Sequence, residues 1–189
     1  MEQQKIIFIS HCILNTASKV VRSIPVCETA EEQVRKAFLS AAIQKEIQFI
    51  QLPCPEFTLY GAKRWGHTKE QFDNPFFREH CRVILTPILL QMKAYLQCPE
   101  QFRVLGVIGV EGSPSCGVSM TCSGEWGGEF SHREDLAQTL ASVHVASAPG
   151  VLMDVLMQMM RENGIALPVV GLNPHAPQAI YDLLEDSRS

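Results

Sequence analysis

VLGVIGVEGSPSCG, residues 104–117, carries a seven-residue apolar run straight into a Gly/Ser/Pro loop that holds Cys116. A short, unbroken run rich in β-branched residues reads as a strand buried on both faces, as in a parallel sheet. Three similar runs punctuate the chain: KIIFIS at 5–10, IQFIQL at 47–52 and PVVGL at 168–172. Between them lie stretches of helical character: ETAEEQVRKAFLSAAIQKE from 28, NPFFREHCRVILTPILLQMKAYL from 74 and PGVLMDVLMQMMRENG from 149. The last ends on Asn163-Gly164, a helix stop, and Pro87 is expected to kink or divide the one before it. A final helix is expected from Asn173 as cap, with Pro174 in its first turn. Strand alternating with helix specifies an α/β, Rossmann-like three-layer sandwich with a mainly parallel sheet.

The chain has 189 residues, the size of one ordinary domain, and no repeat, low-complexity tract or interdomain linker interrupts 1–189. Its first residues, MEQQK, are polar, and the IIFI that follows is too short for a signal peptide or a membrane span. A cytoplasmic protein without a membrane partner is therefore expected. The net charge of −4, with no Lys/Arg run interleaved with aromatics, gives no reason to expect nucleic acid as a partner. A free nucleobase remains compatible. Seven cysteines in a reducing compartment each ask for an explanation, since disulfides seldom persist there.

Cys12 follows the first apolar run, Cys54 the second and Cys116 the third. In a parallel sheet the carboxyl ends of the strands share one edge, where open α/β folds bind ligands. Three thiols distant in sequence therefore converge. Soft ligands favour zinc or iron–sulfur. A structural zinc site is closed by a fourth ligand. Three thiolates without a short-spaced CxxC suit a 4Fe-4S cluster with one iron left open. Glu56, Glu111, Ser113 and Ser115 flank these cysteines and are candidates for activating water or moving a proton. The alternatives are a helix or turn cap for Glu56 and a turn that satisfies backbone for Glu111. Cys81 falls on an apolar helix face and reads as core, Cys98 as a helix-end residue. Cys27 and Cys122 could each approach the site, but neither has a strand end to place it.

On these residues the chain resembles the TudS-like iron–sulfur desulfidases, whose characterised members remove sulfur from 2-thiouracil. SPSCG at 113–117, CPE at 54–56 and SHCIL at 10–14 carry the resemblance, together with PGVLMDVLMQMMRENGI from 149. It implies a desulfidase-like α/β domain, a 4Fe-4S cluster held by Cys12, Cys54 and Cys116, and an open iron that binds the sulfur of a small thiolated substrate. The reaction so implied is hydrolytic C–S cleavage with release of hydrogensulfide. The flanks depart from the family pattern: Asn15 stands near an expected Gly, and FTLYGAKRWGHTKEQFD replaces an expected Pro- and Arg-rich stretch. Such a chain belongs on a divergent branch.

Around the cysteines, Lys63, Arg64, Trp65 and His67 could stack on a flat heterocycle and bond its exocyclic groups, or could form a solvated loop. Trp126 between glycines could act as a lid or a plug, and His11 and His175 should face the same edge. The segments 57–73 and 117–147 are expected walls or lids. Two other readings compete: a cluster-bearing sensor or electron carrier with a fourth cysteine ligand, and a metal-free enzyme with Cys116 as nucleophile.

Overall fold

The computed structural model describes residues 3–21, 29–129 and 131–185. Four strands form one sheet in which every pairing is parallel: β1 (Gln4–Ile9), β2 (Gln48–Gln51), β3 (Phe102–Val110) and, late in the chain, Val169–Leu172. β1 sits inside the sheet, paired with β2 on one side and β3 on the other, which is why its Ile6, Ile7, Phe8 and Ile9 are all buried. A bulge interrupts the β1–β3 register, with Ile6 opposite Val104 and Ile7 opposite Gly106.

The helices that make the crossovers are α2 (Ala30–Gln44), α5 (Pro75–Leu96) and α7 (Val151–Glu162), with the shorter α1 (His11–Leu14), α3 (Pro55–Tyr60), α4 (Lys69–Phe72), α6 (Leu136–Ala141) and α8 (Gln178–Asp182) between and after them. The chain leaves β1 through α2 to β2, then returns across β1 through α5 to β3, and continues through α7 to the last strand. Right-handed crossovers put α2 on one face and α5 with α7 on the other. The contacts agree: α5 packs on α7 and on β3, while Phe38 of α2 meets Tyr181 of α8 with ring centroids 6.0 Å apart. Strand order reverses between β1 and β3. In such sheets the crevice at the carboxyl ends of those two strands is the place for a ligand.

A second, two-stranded antiparallel sheet joins β4 (Thr121–Ser123) to β5 (His144–Ala146), and in chain order Val169–Leu172 is β6. This hairpin occupies much of the segment expected as a lid. Of the two outcomes expected at Pro87 the division does not occur, and the start of the last helix is corrected. α5 runs undivided through Pro87, which lies on the exposed side of the helix, where water can bond the carbonyl that the proline leaves free. The last helix begins at Gln178, behind Pro177: Asn173 Oδ1 does accept the His175 N–H at 2.9 Å and the Asn173 carbonyl takes the Ala176 N–H, but Pro177 has no N–H to give that carbonyl, so one turn forms there and the helix starts after it. α7 stops as its sequence asks: Gly164 has φ +66°, its N–H bonds Arg161, and the Ile165 N–H reaches back to Met160. Among the described residues no helix is long and apolar enough to cross a membrane.

Candidate active site

Each of the three cysteines is set by a different local device. Cys12 lies in the single turn of α1 that directly follows β1, and the Gln51 side chain bonds the His11 carbonyl at 2.9 Å, tying the end of β2 to that turn. Cys54 is the N-cap of α3: its Sγ accepts the Phe57 N–H at 3.4 Å, and Pro55 opens the helix. Cys116 sits in a turn folded back on β3. Its N–H donates to Ser113 Oγ at 3.0 Å, and its carbonyl receives the Val110 N–H at 2.8 Å. The N-terminus of α7 abuts the same turn, with Val151 donating to Pro114 and Leu152 to Ser115. Only glycine fits at 150, since a Cβ there would stand 2.6 Å from the Ser115 backbone.

These devices bring Cys12, Cys54 and Cys116 to the wall of one cavity of about 300 Å³ at the carboxyl ends of β1, β2 and β3. Glu56, Glu111, Ser113, Ser115, His11, Arg64, His67 and Cys122 line it too. Lys63 and Trp65 do not: both are exposed, Trp65 to 71%. Trp126 and His175 also lie off this wall. Cys27 lies outside the described residues. Cys81 is core, its thiol pushed up to about 12 by burial, and Cys98 is half-buried away from the cavity. Lys19 and Glu31, which pair with each other on the cavity wall, have no local sequence signal that would have singled them out.

Burial pushes all three site thiols upward, that of Cys116 well above the usual thiol range. They also act on one another: Cys12 and Cys54 drive Cys116 further up, and Cys54 does the same to Cys12, partly offset by Lys19. As free thiols they stay protonated and are poor nucleophiles near neutrality. Cys122 stands apart, raised by burial and by Glu70 and not by the other thiols.

The two candidate carboxylates are used differently. Both oxygens of Glu111 face the 118–120 loop and accept the N–H groups of Val118, Ser119 and Met120 and the Ser119 hydroxyl, at 2.8–3.2 Å. Gly171 of β6 makes room for it, since a Cβ there would fall 2.0 Å from Glu111 Oε1. Glu56, only 8% exposed, has two donors: Ser115 Oγ at 2.6 Å on Oε1 and Arg64 Nε at 3.2 Å on Oε2. Ser115 Oγ is also 3.5 Å from Cys116 Sγ. Arg64 does not reach for a ligand. Its remaining nitrogens donate to Gly61 O at 3.1 Å and Ser18 O at 2.6 Å, so this nearly buried guanidinium joins the turn after Cys12 to the helix after Cys54.

A single zinc ion, with Zn–S bonds of about 2.3 Å, would draw thiolates to roughly 4 Å of each other. Among the described residues no three His, Cys, Asp or Glu side chains are arranged to hold one metal ion. A cluster, whose cysteines bind separate irons, asks for soft donors spread around a wider cavity. Three free thiols around this cavity meet that demand. Two buried side-chain atoms lack any hydrogen-bond partner among the described residues, Ser10 Oγ and His67 Nδ1. One directly precedes His11-Cys12 and the other belongs to a cavity-lining residue.

Residues 4–166 match the family model described as "Putative 2-thiouracil desulfurase". The uncharacterized protein MJ0003 of Methanocaldococcus jannaschii is 35% identical to the chain over 118 residues, 62% of this chain and 70% of that protein. No solved structure gives a significant match.

Proposed function

The chain belongs to the 2-thiouracil desulfurase family so described, and on that premise we propose that it removes sulfur from a thiolated heterocycle such as a thiouracil, using a 4Fe-4S cluster held by Cys12, Cys54 and Cys116. The reaction is a hydrolysis without net redox change. Water adds its oxygen to the thione carbon, the C–S bond breaks, and the two protons of water leave with the sulfur as hydrogen sulfide. When bound, the cluster supplies an iron that attracts the thione sulfur and withdraws electrons from its carbon.

The chain's own part falls to Glu56. A carboxylate offers about four lone-pair directions. Glu111 has four donors on it, whereas Glu56 has two and keeps capacity to accept a proton from water. Ser115 fixes Oε1 and Arg64 fixes Oε2, which aims the base without consuming it. Ser113 holds the turn that presents Ser115 and Cys116, through its hydroxyl to the Cys116 N–H.

The observation that carries this reading is the meeting of three thiols and the Glu56–Ser115 pair on one cavity at the strand-order reversal. It is tested on protein purified without oxygen. Iron and acid-labile sulfide should be present in near-stoichiometric amounts, and 2-thiouracil should yield uracil and hydrogensulfide one for one. Protein that carries zinc without sulfide, or that leaves every thio-heterocycle offered unchanged, would sink it.

A further inference from the structure

Asn15, which stands near an expected glycine, builds a turn of its own. Its Oδ1 accepts the Ala17 N–H at 3.2 Å and its carbonyl accepts the Ser18 hydroxyl at 2.7 Å, closing the short 3₁₀ turn Thr16–Ser18 directly after α1. The Ser18 carbonyl at the end of that turn is the one that Arg64 holds at 2.6 Å, and Arg64 also steers Glu56. The turn ends on Lys19. Its side chain is only 11% exposed, lines the same cavity and pairs with Glu31 of α2. The guanidinium that aims the base therefore also fixes the turn that presents a nearly buried ammonium. Burial pushes the Cys12 thiol up, and the Lys19 charge is the largest influence drawing it back.

The balance of charge in the cavity shows what such a group is for. Among the described residues that line it, three carboxylates, Glu31, Glu56 and Glu111, stand against two cations, Lys19 and Arg64. Three thiolates would add to the negative side. The reaction proposed above adds more. The oxygen of water bonds the thione carbon, Glu56 takes one proton, and the electron pair of the breaking C–S bond goes to sulfur, which departs as hydrogensulfide with water's other proton. Glu56 then gives its proton to solvent. Arg64 is committed to Glu56 and to two carbonyls. Charge that appears in a poorly solvated cavity is stabilised most by a cation already in place.

We propose that Lys19 stabilises the departing sulfur: its ammonium, presented by the turn that follows Cys12, offsets the negative charge that hydrogensulfide carries as the C–S bond breaks. Glu31 tempers that charge. It keeps the ammonium in place and moderates its pull on the product, so that hydrogensulfide can leave. The role asks for a charge and not for an unused donor. The inference rests on the desulfurising function proposed above and gives that reaction a second group beside Glu56.

The test uses the full chain purified without oxygen, with 2-thiouracil as substrate and sodium hydrosulfide as the product probe. Lys19→Met should retain iron and sulfide yet lower kcat roughly 10²-fold, the scale of one preorganised electrostatic group, with KM little changed. Lys19→Arg should recover most of the rate. Glu31→Gln removes the opposing charge and should act on the product in the opposite sense. Hydrosulfide titrated without substrate, and followed through the absorption of the bound iron, should bind K19M about tenfold more weakly than wild type and E31Q more tightly. A merely structural Lys19–Glu31 pair would shift both variants in the same direction. Should K19M lose its iron, Lys19→Gln, which can still bond Glu31, takes its place and the same opposition is required of it. Wild-type turnover in the Lys19 variant, or hydrosulfide affinities that move together, overturns the role of Lys19 and leaves the desulfurase reading standing. If wild type consumes no thio-heterocycle but binds hydrosulfide in a Lys19-dependent manner, the anion site survives and the reaction fails; if neither occurs, both fall.

Discussion

Two acidic residues follow or precede cysteines at the same sheet edge, and their surroundings could hardly differ more. Glu111 is surrounded by backbone: the loop at 118–120 turns three N–H groups and a hydroxyl onto it, and β6 yields space at Gly171. Glu56 is surrounded by side chains, one serine and one arginine, each of which has other ties to the site. A carboxylate saturated by main-chain donors is a fastening, because losing it unravels the turn it gathers. One steered by two side chains retains lone pairs for an incoming proton. Distance along the chain from a cysteine cannot tell these apart; the nature of the donors can.

The comparison presupposes that the thiols around Glu56 act together, and the largest effect expected is from breaking that set. Cys12→Ser, Cys54→Ser and Cys116→Ser should each lose iron and sulfide and drop desulfurisation to background. Cys122→Ser should keep both, as should Cys81→Ala. Elemental analysis with an absorption spectrum reads this. Retention of iron by any of the three, or its loss in C122S, breaks the scheme.

Next in size is Glu56→Gln, which retains the side chain's shape but cannot take a proton. Its kcat should fall about 10²- to 10⁴-fold at full iron content. Turnover at the wild-type rate would return the role of base to Glu111. Arg64→Met follows. It leaves Glu56 buried and unpaired and frees the Ser18 and Gly61 carbonyls, so urea unfolding should show a loss of about 3–5 kcal/mol. Arg64→Lys should recover part of that loss, since an ammonium keeps the charge without the fork. The smallest effect is reserved for the fastening: Glu111→Gln should cost about 1–3 kcal/mol and speed hydrogen exchange at Val118, Ser119 and Met120, with less change in kcat than E56Q. Exchange at those amides equal to wild type would show that the loop does not depend on Glu111.

Much of the frame is legible in sequence because apolar runs and turn residues are local signals. Four strands, the three long crossover helices and the placement of Cys12, Cys54 and Cys116 all follow from them. The missing pieces depend on contacts between distant segments. The three-residue strands β4 and β5 carry too short a pattern to announce a sheet. Arg64 reads in sequence as a residue free to meet a ligand, and it is the Ser18 carbonyl, 46 positions away, that takes up its end. His67 reads as a loop histidine until its ring packs with those of Tyr60 and Phe72. Asn173 reads as a helix cap and makes the bond of one, but Pro177, without an N–H, stops the turn it opens from continuing.

The strand-end positions of the cysteines also bear on the energetics of assembly. Positions 12, 54 and 116 are separated by dozens of residues, so in an extended chain no peptide segment contains even a rudiment of the ligand set. Closing loops of that length costs conformational entropy that grows with the logarithm of their length. Pairing of β1 with β2 and β3 holds the three positions at one edge. A group that joined the three thiols would staple three neighbouring strands. Its affinity would become part of the stability of the sheet itself, and removing it should lower the melting temperature of the whole molecule instead of loosening one loop.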